Sequence, residues 1–174
     1  MTGKVTAMAE AASRSQVLLA RIAIAAIAIL AALGLLLYGM SAEVQLRLWH
    51  DIFNRPGGPM SFRFVLQPAM AAIAAFHDGA RDARLGRKPF LTRLISGSSD
   101  RTHLLDEALI STGRILLLGL VMDAIYQFTV LKTFYPGEMV VITLSLALVP
   151  YLLLRGPFAR LASWLSRSND ERTP

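Results

Sequence analysis

The chain has 174 residues, a length suited to one domain, with 54% hydrophobic residues, only 17% charged residues and a net charge of +6. Soluble domains carry about 25% charged residues, so the composition argues against a soluble globular fold and for a membrane protein. The absence of cysteine excludes disulfides, thiolate metal sites and a cysteine nucleophile. The basic balance does not imply nucleic acid, because the cations cluster at the ends of apolar runs, where positive-inside topology puts them.

Residues 1–16 are polar. Between Arg21 and Glu43 there is no charge at all, and the segment 22–42 would reach roughly 30 Å as a helix. Its Ala and Leu content favours that conformation. This predicts a first span over about 18–40, with Arg21 snorkelling to the headgroups. The run exceeds the usual signal-peptide core of about 7–15 residues, so it reads as a retained signal anchor. Ser41 to Phe53 sets Val44, Leu48, Trp49, Ile52 and Phe53 among Glu43, Arg47 and Asp51. That pattern predicts a short amphipathic helix at the interface, anchored by Trp49. Asn54-Arg-Pro-Gly-Gly-Pro59 is a break.

The next apolar piece, Phe64 to Phe76, is too short to span alone. Starting it at Pro59 gives a second span over about 59–76, provided Arg63 snorkels or finds a partner. A re-entrant or surface helix is the alternative, and Pro68 would kink either one. A strongly basic stretch from His77 to Pro89 follows and opens a predicted cytoplasmic loop over 77–113. Ser96 to Asp100 offers a helix N-cap, and Leu104, Leu105, Ala108 and Leu109 form an amphipathic lead into the third span, about 114–131. Pro136-Gly137 suits a type II turn, and Glu138 sits favourably at the start of the last span, about 139–154. Pro157 opens a predicted interfacial helix over 157–167, carrying Phe158, Leu161, Trp164 and Leu165.

With four spans, 14 of the 18 cations lie inside. With three spans and the N-terminus outside, the number is the same, so the positive-inside rule does not choose. Four is the expectation, because three would leave Arg63 to Phe76 an apolar segment without cover. Both arrangements put the 77–113 segment and the C-terminus in the cytoplasm. The four-span arrangement puts the N-terminus there as well. The predicted fold class is an all-α integral membrane bundle with four transmembrane helices and interfacial amphipathic helices, forming a single membrane domain over 1–174.

One acid, Asp123, lies inside the apolar run from Ile115 to Leu131. An intramembrane acid is costly, and it is a functional-site hypothesis by default. Counting from the outer turns, Gln67 and Asp123 fall at similar depth, Arg63 lies one helical turn further out, and Tyr126 and Gln127 share a face with Asp123. Thr143 lies nearby on the last span. Asp123, Arg63, Gln67, Tyr126 and Gln127 are therefore expected to form a polar cluster. It acts either as a clamp joining helices or as a proton- or ion-coupled site in which Arg63 tunes Asp123. The clamp is preferred, since buried polar groups need partners in any bundle.

Other constellations are weaker. His77, Asp78 and Asp82, together with His103, Asp106 and Glu107, have helical spacing that could serve a divalent metal. They read more simply as a solvated face, so no metal site is assigned. Asp78-Gly-Ala-Arg-Asp-Ala-Arg84 superficially resembles the Asp-Gly-x-x-Ala-Arg opening of CDP-alcohol phosphatidyltransferases. Here Asp82 stands in place of the Ala, and the two later aspartates that hold the metals are missing. Arg81, Arg84, Arg87 and Lys88 instead suggest contact with anionic lipid headgroups. No catalytic residue and no cofactor is implied by any motif.

Arg63-Phe-Val-Leu-Gln-Pro68, Asp78 to Arg87, Asp123-Ala-Ile-Tyr-Gln127, Phe134-Tyr-Pro-Gly-Glu138 and Pro150 to Pro157 together resemble an uncharacterised family of small multi-pass inner-membrane proteins of proteobacteria. The resemblance covers about 63–157. It implies a bacterial inner-membrane location and no substrate, cofactor or catalytic residue. The expected function is a non-enzymatic membrane scaffold or accessory subunit. Its expected partners are the lipid bilayer, anionic headgroups, and either a second copy or another subunit of a membrane complex, with no nucleic acid. The alternative is a small ion-coupled carrier or channel using Asp123, and a membrane-embedded enzyme at the cytoplasmic rim ranks third.

Overall fold

The computed structural model of the chain describes residues 13–95 and 101–170. Among these the secondary structure is helical throughout, with no strand. The first long helix, α1 (Arg14–Tyr38), starts on a capping box in which Ser13 accepts from the Gln16 amide and Gln16 reaches back to the Ser13 N–H. It stops at Gly39, whose φ of 68° suits a residue without Cβ. Ser41 caps α2 (Ala42–Asn54), and one 3₁₀ turn follows over Arg55–Gly57. Next come α3 (Arg63–Arg84), the short α4 (Phe90–Ile95) and α5 (Arg101–Tyr126), which continues into a π-helical turn over Gln127–Leu131. Pro136 begins α6 (Pro136–Thr143), and a second π segment, Leu144–Leu148, joins it to α7 (Val149–Asp170).

Residue pairing fixes the directions of the long helices. Ala20 lies beside Gly113, and Gly34 lies beside Gly137. Arg63 meets Asp123, while Asp82 meets Arg155. Helices α1 and α5 therefore run one way, and α3 and the α6–α7 rod run the other. The turn between α5 and α6 marks the hairpin end of the bundle, and Arg14 and Asp170 mark the tail end. Three helical stretches are long and apolar enough to cross a membrane: Arg14–Tyr38, Arg101–Leu131 and Pro136–Leu165. Large apolar side chains lie exposed on all the long helices, among them Leu36, Val65, Ile73, Phe128 and Leu153. A surface of this kind suits lipid and not water.

Of the segment expected to span over 59–76, residues 63–76 lie in α3, which starts only at Arg63 and continues two turns further, to Arg84. Its buried face is Arg63, Gln67, Ala71, Ala75, Gly79 and Asp82, one stripe at steps of four and three. Its Arg63 end meets α5, and its Gly79 end packs on α7. A Cβ on Gly79 would come within 2.7 Å of the Arg155 carbonyl oxygen, so glycine is what allows the two backbones this close. The predicted loop over 77–113 is therefore largely helical: it holds the end of α3, all of α4 and the first half of α5. The separate helix expected at 157–167 is the continuation of α7, with Pro157 inside it. The polar lead over 1–12 and the N-cap expected within 96–100 lie outside the described residues.

Attachment of α1 rests on small residues. Its buried positions are Ala20, Ala23 and Gly34, the close-packing mode of membrane helices. Ala28 and Ala32, which also have the right spacing, are exposed instead. The core proper, with Ala71, Ala75, Leu104, Ala108, Leu116, Ala147 and Tyr151, lies between α3, α5 and the α6–α7 rod.

Candidate functional site

Two clusters of buried charge close the bundle, one near each end. At the hairpin end, Asp123 is completely buried on α5 and Glu138 nearly so on α6. Arg55, in the 3₁₀ turn, bridges them: its Nη1 donates to Asp123 Oδ1 at 2.5 Å and its Nη2 to Glu138 Oε2 at 2.7 Å. Arg63 Nη1 from α3 approaches the same Asp123 oxygen to 2.7 Å. Gln127 Nε2 donates to the other oxygen at 2.8 Å. The guanidinium carbons of Arg55 and Arg63 each stand 4.8 Å from the centre of the Tyr126 ring. That ring therefore packs against both cations. Arg47 of α2 completes the group, 3.6 Å from Glu138 and 3.7 Å above the Tyr135 ring.

Gln127 has a second task. Its amide donates to the Tyr135 carbonyl at 3.0 Å and accepts from the Tyr135 N–H at 2.6 Å, pinning the turn that leads into α6. The π turn beginning at Gln127 sits where this side chain points into the core, and such segments commonly mark special sites. Tyr38 at the end of α1 reaches the same turn, donating to the Phe134 carbonyl at 2.8 Å.

Four of the five predicted cluster residues thus come together: Asp123, Arg63, Tyr126 and Gln127. Gln67 is buried one turn deeper on α3, over Gly119 and beside Thr143. A Cβ on Gly119 would lie 2.7 Å from Gln67 Nε2, so Gly119 makes the room for that side chain. Neither Gln67 Nε2 nor Thr143 Oγ1 has a hydrogen-bond partner among the described residues, and the nitrogens of Arg63 lack well-aligned acceptors.

Sequence reasoning missed Arg55, Glu138 and Arg47. Two acids facing the same side of a hairpin call for more than one cation, and that count was the signal available.

At the tail end, fully buried Arg155 of α7 is the centre. Its Nε donates to Asp82 Oδ2 at 2.8 Å, its Nη2 to Glu107 Oε1 at 2.6 Å, and its Nη1 to the Tyr151 hydroxyl at 2.9 Å. Tyr151 in turn donates to Asp78 Oδ2 at 2.6 Å. Phe90 of α4 lies under the guanidinium at 4.4 Å, and Arg87 and Arg93 stand 3.6 Å from Asp82. Three of the residues weighed as metal ligands, Asp78, Asp82 and Glu107, come together here around an arginine and a phenol, while His77 and His103 are exposed. Among the described residues no group of three or more His, Asp or Glu converges as a ligand set. Of the predicted headgroup residues, Arg84, Arg87 and Lys88 are exposed and Arg81 is half-buried.

The spacing of the two nodes is regular. Arg63 and Asp82 are 19 residues apart on α3, Glu107 and Asp123 are 16 apart on α5, and Glu138 and Arg155 are 17 apart on the α6–α7 rod. At 1.5 Å per residue these separations are roughly 24–29 Å, close to the hydrocarbon thickness of a bilayer at about 30 Å. No family model, curated protein or solved structure matches the chain.

Proposed function

We propose that the protein is a non-enzymatic scaffold or accessory subunit of a bacterial inner membrane, built on four spans whose arrangement is fixed by the two arginine nodes. The observation that carries this reading is the state of Asp123: completely buried, and engaged by Arg55, Arg63 and Gln127. An ion-coupled carrier working through this acid would need it hydrated. The cavity of about 320 Å³ that reaches Glu138 from α1 and α2 has no lining contribution from Asp123.

The fourth span is α3. Its two buried charges, Arg63 and Asp82, face inward, and Val65, Leu66 and Ile73 face out between them. That supports a crossing in which the buried charges sit near the two interfaces instead of at mid-membrane. The cations Arg81, Arg84, Arg87, Lys88, Arg93, Arg101 and Arg160 gather toward the tail end. By the positive-inside rule this supports cytoplasmic termini. On α2, the exposed Leu46, Trp49 and Phe53 suit an interfacial position at the opposite face. The exposed apolar face of α1 is the surface left for a partner subunit or a second copy.

Cross-linking in native membranes, followed by affinity purification in mild detergent, should recover one stoichiometric partner. A monomer recovered alone, together with proton flux in proteoliposomes that Asp123→Asn abolishes without unfolding the protein, would overturn the scaffold reading in favour of the carrier.

A further inference from the structure

Just past the Arg155 node, α3 ends at Arg84, the chain turns through Gly86, and α7 runs past Ala159 and Arg160. Between them lies a recess of about 480 Å³. Arg84, Arg87 and Arg160 line it, and no acid does. The nearest carboxylate in sequence, Asp82, is turned into the core and engaged by Arg155, with Arg87 3.6 Å from its other oxygen. Among the described residues neither Arg84 nor Arg160 forms an ion pair, and both are exposed. Three guanidinium groups around one recess repel each other unless an anion stands between them. Their planar forks match the oxygens of a phosphate.

The rim carries the second half of the pattern. Leu85, Leu161 and Trp164, each next in sequence to a residue that lines the recess, are exposed, and Trp is the residue typical of the headgroup level. A free phosphate would have no use for that apolar border, whereas a phospholipid would lay its chains along it. Phosphatidylcholine would bring its own cation against the arginines, so the fit favours a headgroup with net negative charge. We infer that this recess seats the phosphate of an anionic phospholipid between Arg84, Arg87 and Arg160, with the acyl chains along Leu161 and Trp164. The inference rests on the proposed membrane residence of the chain, and not on its having a protein partner.

The test is native mass spectrometry of the full chain in non-ionic detergent, titrated with dioleoyl-phosphatidylglycerol, dioleoyl-phosphatidylcholine or inorganic phosphate. The wild type should hold phosphatidylglycerol at concentrations where phosphatidylcholine is not retained. The double variant Arg84→Gln/Arg160→Gln should weaken that binding about 30-fold, from roughly fivefold per interfacial cation. Arg21→Gln, which removes an exposed cation on α1, should change it by less than about twofold. Arg160→Gln alone, expected to cost about fivefold, serves if circular dichroism shows the double variant misfolded. Arg87 is left intact because it also stands near Asp82. Unchanged phosphatidylglycerol binding by a folded variant would overturn the inference. So would displacement of the lipid by an equal concentration of inorganic phosphate, which would make the recess a free-anion site. Because the titration is done in detergent, it reads the seat even if partner recovery fails, so the two readings fail separately.

Discussion

The two arginine nodes use the same residue types to opposite effect. Around Arg155 each guanidinium nitrogen donates to an acceptor, Asp82, Glu107 or Tyr151, and the phenol passes the chain of bonds on to Asp78. At the hairpin end three arginines share two carboxylates, and Arg63 stays short of aligned acceptors. A buried charge is tolerable only when paired and hydrogen-bonded. Arg155 is therefore saturated and ties α3, α5 and α7 into one unit, while Asp82 Oδ1 has only ion-pair contacts at 3.6 Å, to Arg87 and Arg93. The hairpin-end node has donors to spare and is held in addition by ring packing on Tyr126 and Tyr135.

The contrast can be broken by substitution, monitored by unfolding of the purified protein in detergent. Arg155→Leu should be the most damaging, costing about 3–5 kcal/mol, because it removes the closest partner of buried Asp82 and of half-buried Glu107 at once. An effect under about 1 kcal/mol would mean that Arg87 and Arg93 are enough to hold Asp82. Asp123→Asn keeps the shape and one acceptor oxygen, and Glu138 still holds Arg55, so a loss of about 1–3 kcal/mol is expected. If it proved as costly as Arg155→Leu, the hairpin-end node would be as tightly closed as its counterpart. Arg47→Gln should change stability by less than about 1 kcal/mol, since this side chain is one-third exposed and its carboxylate keeps Arg55. A larger loss would show that the stacking on Tyr135 carries the node.

How much of this was legible in the sequence depended on whether partners share a regular element. The first long helix and the hairpin follow from charge-free runs of Ala, Ile and Leu. Depth counting along neighbouring helices was enough to bring Arg63, Tyr126 and Gln127 to Asp123. Arg55 escaped because it sits in an Asn-Arg-Pro-Gly-Gly-Pro break, where local rules describe the backbone and say nothing of where a long side chain goes. Glu138 had a sufficient local explanation at a helix start, which hid its tertiary role. The tail-end node escaped because His77 to Pro89 reads as a basic loop. Yet the four-residue steps Arg63, Gln67, Ala71, Ala75 and Gly79 run on unbroken toward Asp82, and following them would have extended α3 through it. Glu107 and Arg155, 48 residues apart, are linked by no periodicity at all.

The polarity of α3 has a consequence for biosynthesis. The helix buries a cation, Arg63, at one end and an acid, Asp82, at the other, and the partners that hold each most closely, Asp123 and Arg155, are encoded far downstream. Asp82 waits 73 residues for Arg155, and Arg63 waits 60 for Asp123. At bacterial elongation rates of about 5–20 residues per second, that delay is roughly 3–15 s. During it, α3 would meet the bilayer without the partners that later bury Arg63 and Asp82, which lipid resists. On the proposed four-span arrangement, α3 is thus the span that enters the hydrocarbon last, drawn in as a late insertion once α5 and α7 are ready to receive it.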